Sequence, residues 1–189
     1  KYYYDETLLV LTWKIPLDNS VYTFSEVKIA DASQFRRFLS DGQYGSGALS
    51  KAITQGGMVK EYVAMVHGTP APEGDWTDLL FKDSRKNKVF VVKKQRAGVK
   101  AARLEFRRLT KGERSLVAVR LHTGRSHQIR VQFSSRGFPL VGDHKYGSRA
   151  EETAPMLFSC RISFPYKGKQ YRYSALPDWA ASAVLEDWV

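Results

Sequence analysis

The chain has 189 residues, 43% of them hydrophobic, which is enough to bury the core of one domain. Thirty lysine and arginine residues against nineteen acidic ones give a net charge of +11, which favours a polyanion such as nucleic acid as the partner. No apolar run approaches a membrane span, no secretory signal pattern opens the chain, and the single cysteine, Cys160, excludes an intramolecular disulfide and a Cys-rich zinc site. Lys1 is not a start residue, so a targeting peptide before it is left open.

The first third of the chain predicts one strand and two helices. The apolar run Leu8–Leu11 is typical of a strand, which ends near Pro16. Aromatic and leucine residues at helical spacing predict a helix over residues 31–39. A glycine-rich loop follows at 41–47, and a short helix is predicted over 48–54.

The remainder is predicted to be rich in strands. Alternating β-branched and aromatic residues predict four strands, at Val59–Val66, Val89–Val92, Ala101–Leu109 and Ser115–Leu121. Gly68–Gly74 is expected to be a loop, and helical spacing predicts a helix over 126–135 with Ser126 or Thr123 as its N-cap. A hairpin (Met156–Phe164 with Gln170–Tyr173), which places Cys160 in the core, and an amphipathic helix over 178–189 close the chain. This order, without βαβ regularity, predicts an α+β fold with a central mixed, mainly antiparallel sheet and flanking helices.

The densest polar cluster is Arg120–Arg130, which contains three arginines, two histidines, a threonine, a serine and a glutamine. It joins a predicted strand to a predicted helix, and the free amides at a helix N-terminus favour anions. The Arg125 guanidinium can hold a carboxylate by a forked pair. The alternative interpretation is a surface cluster of salt bridges.

Several segments resemble the RluA-like family of RNA pseudouridine synthases. The signature blocks are Leu121–Arg130, Gly137–Asp143 and Lys145–Gly147. Lys60–Gly68 is similar to the family's Lys-x-Tyr strand, and further similar segments are Tyr4–Pro16, Asp78–Arg85, Arg161–Pro165 and Ala175–Asp178. The resemblance implies one catalytic domain over residues 1–189, family-like over 4–16 and 58–178 and divergent or shortened over 17–48.

The resemblance also implies an activity and a site. Such enzymes isomerise uridine within rRNA or tRNA, using an aspartate nucleophile and neither cofactor nor metal, so we expect RNA as the partner and neither DNA nor a membrane. Tyr62 matches the tyrosine that stacks on the target base in an RNA-binding cleft, and Arg125 matches the arginine paired with the aspartate. We also expect Ile162, Arg161, His127 and Gln128 to bind the substrate, and Arg120, Arg130 and Lys145 to contact the RNA backbone. Tyr62 as an ordinary strand aromatic and Ile162 as a core residue are the structural alternatives.

The family's His-Arg-Leu-Asp-x-x-Thr-Ser-Gly block, which carries the nucleophile, is absent from this sequence. The nearest segment is Arg37–Gly47, which makes Asp41 the candidate nucleophile and Asp31 the second choice; a helix cap or loop aspartate is the alternative for both. Two explanations stay open: residues are omitted between Leu17 and Ala48, or the chain is an inactive homologue that serves as an RNA-binding component of a ribonucleoprotein such as an organellar ribosome. Cytoplasm, mitochondrion and plastid all fit the composition.

Overall fold

The computed structural model describes residues 11–14, 21–24, 58–166 and 169–181. They fall into two compact units: a larger one from Lys60 to Cys160 together with the described residues from Leu176 onward, and a smaller one from Arg161 to Ala175 together with the described residues before Lys60. Within the described ranges, no helix has the length and apolar character that a membrane crossing needs.

An antiparallel sheet forms the larger unit, with strand order β5-β4-β6-β7-β3. The first half of β8 extends this sheet beyond β3. The strands are β3 (Val59–His67), β4 (Glu73–Asp83), β5 (Lys88–Val92), β6 (Val99–Arg108), β7 (Arg114–Leu121) and β8 (Leu157–Tyr166).

One face of the sheet is covered by helix α1 (Gln128–Ser134). Ile129 and Phe133 of α1 are buried against the β6 residues Leu104 and Phe106. The sequence of β6 alternates polar and apolar side chains, which suits a strand that buries only one face. A 3-10 helix at His144–Tyr146 adds Tyr146 to a second cluster under the same helix.

The smaller unit contains two hairpins. Strands β1 (Leu11–Lys14) and β2 (Val21–Phe24) pair antiparallel, with Leu11 opposite Phe24. The second half of β8 pairs with β9 (Lys169–Ser174), with Ile162 opposite Tyr173. The closing hairpin is therefore confirmed. Strand β1 begins at Leu11, the last residue of the predicted strand Leu8–Leu11, whose other residues lie outside the described part of the chain.

The α+β class with a mainly antiparallel sheet is confirmed, as are the four predicted strands, which became β3, β5, β6 and β7. Cys160 is 1% exposed, as expected of a core thiol. The predicted loop Gly68–Gly74 was partly wrong, because β4 begins at Glu73. A 3-10 helix at Asp178–Ala180 begins the predicted final helix; its remainder, and the helices predicted over 31–39 and 48–54, lie outside the described residues.

The predicted N-caps of α1 were wrong. The capping position is His127, which adopts left-handed backbone angles and makes no side-chain capping bond. Thr123 and Ser126 have partners on other strands instead: the Thr123 hydroxyl accepts from the Arg103 amide at 2.9 Å, and the Ser126 hydroxyl lies 3.4 Å from Lys82 Nζ. The Thr123 hydroxyl still reaches the helix, because it donates to the side chain of Gln128, the first residue of α1, at 2.8 Å.

Candidate functional site

The turn between β7 and α1 is held together by the buried side chain of Gln128. Its Oε1 accepts hydrogen bonds from the Thr123 hydroxyl at 2.8 Å and from the Arg125 amide at 3.0 Å. Its Nε2 donates to the Arg103 carbonyl oxygen on β6 at 3.0 Å. Gln128 is buried, so breaking these hydrogen bonds would leave its amide group unpaired, at a cost in free energy. The three hydrogen bonds therefore stabilise the shape of this turn. The hydrogen bonds of Gln128 described here are all internal to the protein. The substrate-binding role expected of it from the sequence stays a prediction.

Arg125 lies on the exposed side of this turn. Its Nε donates to the Ala101 carbonyl oxygen at 2.9 Å, which directs the guanidinium along the start of β6. A carboxylate or phosphate would then be held by the two Nη atoms. The Arg125 amide itself donates to Gln128 Oε1 at 3.0 Å and is therefore already hydrogen-bonded within the turn.

Strand β3 brings Lys60 and Tyr62 to the same face as α1. Tyr62 is half-buried and packs against the main core cluster, and it lies opposite Val119 of β7. Lys60 is two residues away and therefore shares its face. A Cβ atom placed on Gly124 would lie 3.5 Å from Lys60 Nζ, so the lysine touches the turn at residues 122–127 between β7 and α1, called the signature turn below. Burial lowers the pKa of the Lys60 ammonium.

Lys60 thus lies beside the predicted site residues without having been named among them, although it belongs to the Lys-x-Tyr motif. Its position links the strand of Tyr62 to the turn of Arg125. The signal available in the sequence was the two-residue spacing, which puts Lys60 and Tyr62 on one face of a strand.

Arg130 joins two of the matched sequence blocks. Its Nε and Nη2 each donate to a carboxylate oxygen of Asp143 at 2.7 Å, and Asp143 is fully buried. The Arg130 guanidinium also lies 5.0 Å from the centre of the Tyr146 ring. Arg130 is therefore held inside the domain, and the RNA-backbone contact expected of it stays a prediction.

His127 joins the first block, Leu121–Arg130, to the third, Lys145–Gly147. Its Nδ1 lies 2.9 Å from the Tyr146 hydroxyl, which accepts a hydrogen bond from the Val89 amide at 2.8 Å. Burial, together with the nearby cations Arg130 and Lys145, lowers the His127 pKa to about 4. The imidazole is therefore neutral at pH 7, and a hydrogen bond links its Nδ1 to the Tyr146 hydroxyl.

Arg120 points to the other face of the sheet. Arg120 lies directly opposite Glu61 on β3. Glu61 stands between Lys60 and Tyr62 in the sequence, and because adjacent strand residues face opposite sides, Glu61 and Arg120 face away from those two. The Nη2 of Arg120 pairs with Glu61 Oε1 at 2.8 Å, and the Glu61 side chain is only 5% exposed. The expected phosphate contact of Arg120 would thus lie on a different face from Tyr62.

Three predicted site residues do not belong to the described part of the larger unit. Arg161 and Ile162 belong to the smaller unit, where they lie opposite Ser174 and Tyr173 of β9. Asp41 lies outside the described residues. The roles of these residues, and the cleft they would share with Tyr62 and Arg125, stay predictions.

Comparison with known proteins identifies one family. The RNA pseudouridylate synthase family profile matches residues 40–135. An uncharacterized RNA pseudouridine synthase of Chloroflexus aurantiacus is 42% identical over 94 residues, covering 49% of this chain and 28% of the relative. The ribosomal large subunit pseudouridine synthase D of Borreliella burgdorferi is 39% identical over 90 residues, covering 47% of this chain and 27% of the relative. These matches thus span less than a third of either relative.

The fold is also similar to that of a solved human protein, RNA Pseudouridylate Synthase Domain Containing 1. The TM-score is 0.63 at 20% sequence identity, over 75% of this chain and 66% of the human chain. At this identity the likeness concerns the fold.

Proposed function

The chain belongs to the RluA-like family of RNA pseudouridylate synthases, and from this premise we propose that it binds structured rRNA or tRNA and isomerises a uridine in it to pseudouridine. One observation carries the proposal. The signature turn holds Arg125 at the edge of β6 and contacts Lys60, which shares a strand face with Tyr62. This proximity of the Tyr62 strand and the Arg125 turn supports a proposed site in which Tyr62 stacks on the base and Arg125 binds the carboxylate.

The proposed reaction breaks the N1–C1′ bond of the target uridine and forms a C5–C1′ bond between the same base and ribose; C5 loses one proton and N1 gains one. No atom is gained or lost, so no oxidant, reductant or co-substrate is required. The nucleotide must first leave its stack, and an aromatic ring such as that of Tyr62 holds the extruded base. An aspartate acts as the nucleophile, and the Arg125 cation keeps that carboxylate ionised by favouring its charged form.

We propose Asp41 as this nucleophile, because Ser46 and Gly47 follow it as a Ser-Gly pair follows the family's aspartate. The test is pseudouridine mapping and tritium release on rRNA and tRNA with the wild type, Asp41→Ala and Asp31→Ala. Activity that is lost in Asp41→Ala and kept in Asp31→Ala supports the assignment. Activity that survives in Asp41→Ala removes Asp41 as the nucleophile.

Arg125→Gln tests the arginine in the same assay, with the exposed Arg149→Gln as the matched control. We expect Arg125→Gln to lower the single-turnover rate by on the order of a hundredfold or more, because its cation stabilises the reacting carboxylate. Arg149→Gln should retain the wild-type rate. Equal rates in both variants would contradict the role of Arg125.

A second candidate function is a non-catalytic RNA-binding component of a ribonucleoprotein. The observation in its favour is the absence of the His-Arg-Leu-Asp block from the sequence. Salt-dependent binding of structured RNA without pseudouridine formation in any rRNA or tRNA tested would favour this candidate over the enzyme.

A further inference from the structure

Positive charge is concentrated on one edge of the sheet. Residues 82–100, which cover the turn between β4 and β5, strand β5 and the segment leading into β6, contain eight lysine and arginine residues and one acidic residue, Asp83. This tenth of the chain thus carries a net +7 of the total +11. A field of this strength at one edge attracts a polyanion.

Strands β4 and β5 form a hairpin, and the turn at its tip exposes two cations to solvent. The Asp83 carboxylate accepts hydrogen bonds from the backbone amides of Arg85 and Lys86, at 3.0 and 3.1 Å. Asp83, the single acidic residue of segment 82–100, therefore stabilises the turn. Arg85 and Lys86 are both exposed. Neither forms an ion pair with another residue in the part of the chain that the structure describes.

The hairpin is continuous with the signature turn. Lys82 Nζ lies 3.4 Å from the hydroxyl of Ser126, the residue after Arg125. On the other side, Lys145 Nζ donates to the carbonyl oxygen of Asn87 in the hairpin turn at 2.9 Å. A line of cations therefore runs from Arg125 through Lys82 to the hairpin tip.

Protection of the sheet edge does not account for this charge. Lysines on an edge strand do prevent edge-to-edge pairing. Strand β5 itself, however, carries only Lys88, and it exposes Phe90 and Val91. The remaining cations lie before and after the strand, where they add nothing to edge protection.

We propose that this basic hairpin, residues 82–88 together with Lys145, binds the phosphate backbone of the RNA that flanks the nucleotide held at Arg125. The inference rests on the proposed RNA-binding function and deepens it, because it places the flanking strand on one edge of the larger unit. Cations that bind phosphates release condensed counterions, so each contact makes the affinity depend more steeply on salt.

The test compares two double variants that each remove one exposed lysine and one exposed arginine at a hairpin end. Arg85→Gln/Lys86→Gln alters the β4–β5 turn. Lys111→Gln/Arg114→Gln alters the β6–β7 turn and the first residue of β7, Arg114, which pairs with Glu152. Binding of a structured rRNA fragment is measured by fluorescence anisotropy from 50 to 200 mM KCl. We expect the first variant to reduce the slope of log affinity against log salt by about 1.4 to 1.8 for two contacts, and the second to keep the wild-type slope.

The charge-preserving exchange Arg85→Lys/Lys86→Arg should restore the wild-type slope, and unfolding midpoints verify that all variants are folded. Equal slopes in the two double variants would overturn the hairpin assignment while leaving RNA binding intact. A wild-type affinity that is flat across the salt range would instead overturn the proposed RNA binding, and the hairpin assignment with it.

Discussion

The ion pair between Arg130 and Asp143 makes the sharpest stability prediction. Asp143 is fully buried, the Arg130 side chain is 20% exposed, and both carboxylate oxygens are bound at 2.7 Å. Arg130→Gln leaves this carboxylate buried without its cation, and such a change costs about 3 kcal/mol. For a chain of this length, that free energy lowers the unfolding midpoint by roughly 6 to 12 °C.

Urea unfolding measures the loss directly. Arg103→Gln is the matched control, because Arg103 pairs with Asp75 in a similar two-point contact whose side chains are 46% and 50% exposed. That pair is screened by water and should contribute far less to stability than the buried pair. The double variant Arg130→Gln/Asp143→Asn should recover part of the loss, since it buries no unpaired charge. A cost for Arg130→Gln no larger than that of the control would refute the structural role of Arg130.

Three further predictions follow from the same region. Gln128→Ala should lower the free energy of unfolding by about 1 to 3 kcal/mol in urea, because it leaves buried donors and acceptors of the turn unpaired; a loss below about 0.5 kcal/mol would contradict this. Gly142→Ala should lower the thermal unfolding midpoint more than Gly137→Ala. Both glycines have positive φ, but a Cβ on Gly142 would clash with the Ala154 carbonyl oxygen, whereas a Cβ on Gly137 would meet no atom within 4 Å. Equal midpoints for the two variants would contradict this packing. The pKa of His127 is about 4 in the fold against about 6.5 when unfolded, so only the unfolded state gains this proton as pH falls from 6.5 to 4, and stability should fall over that window. His127→Asn, which tolerates the left-handed backbone, should show a smaller loss between pH 7 and pH 5, and an unchanged pH profile would disprove the linkage.

Local patterns predicted much of the fold. The alternation in β3, β6 and β7 identified strands because each buries one face. Strand β4 was missed because its sequence contains a glycine and several acidic residues, which have low strand propensity. Its carboxylates find partners that are distant in sequence: Asp75 pairs with Arg103, and Asp78 pairs with Arg136 at the end of α1. No local window contains these partners.

The sequence predicted which residues lie at the candidate site, but not which of its arginines pair with buried acids and which stay exposed. The sequence singled out the polar cluster Arg120–Arg130, and the structure confirms that it forms the turn between β7 and α1. The cluster does not act as one surface, however. Arg120 and Arg130 pair with the buried acids Glu61 and Asp143, while Arg125 remains exposed. Arg130 and Arg120 form buried ion pairs with carboxylate partners that lie 13 and 59 residues away in the sequence. Local residue spacing does not reveal such partners.

The most direct test of the central claim is pseudouridine mapping of rRNA and tRNA incubated with the wild-type chain and with Arg125→Gln. The proposed function predicts new pseudouridine at a defined position with the wild type and its strong reduction with Arg125→Gln. Equal pseudouridine formation by the two proteins would contradict the assigned site. Salt-dependent RNA binding with no pseudouridine from the wild type would contradict the isomerase and leave the non-catalytic RNA-binding protein.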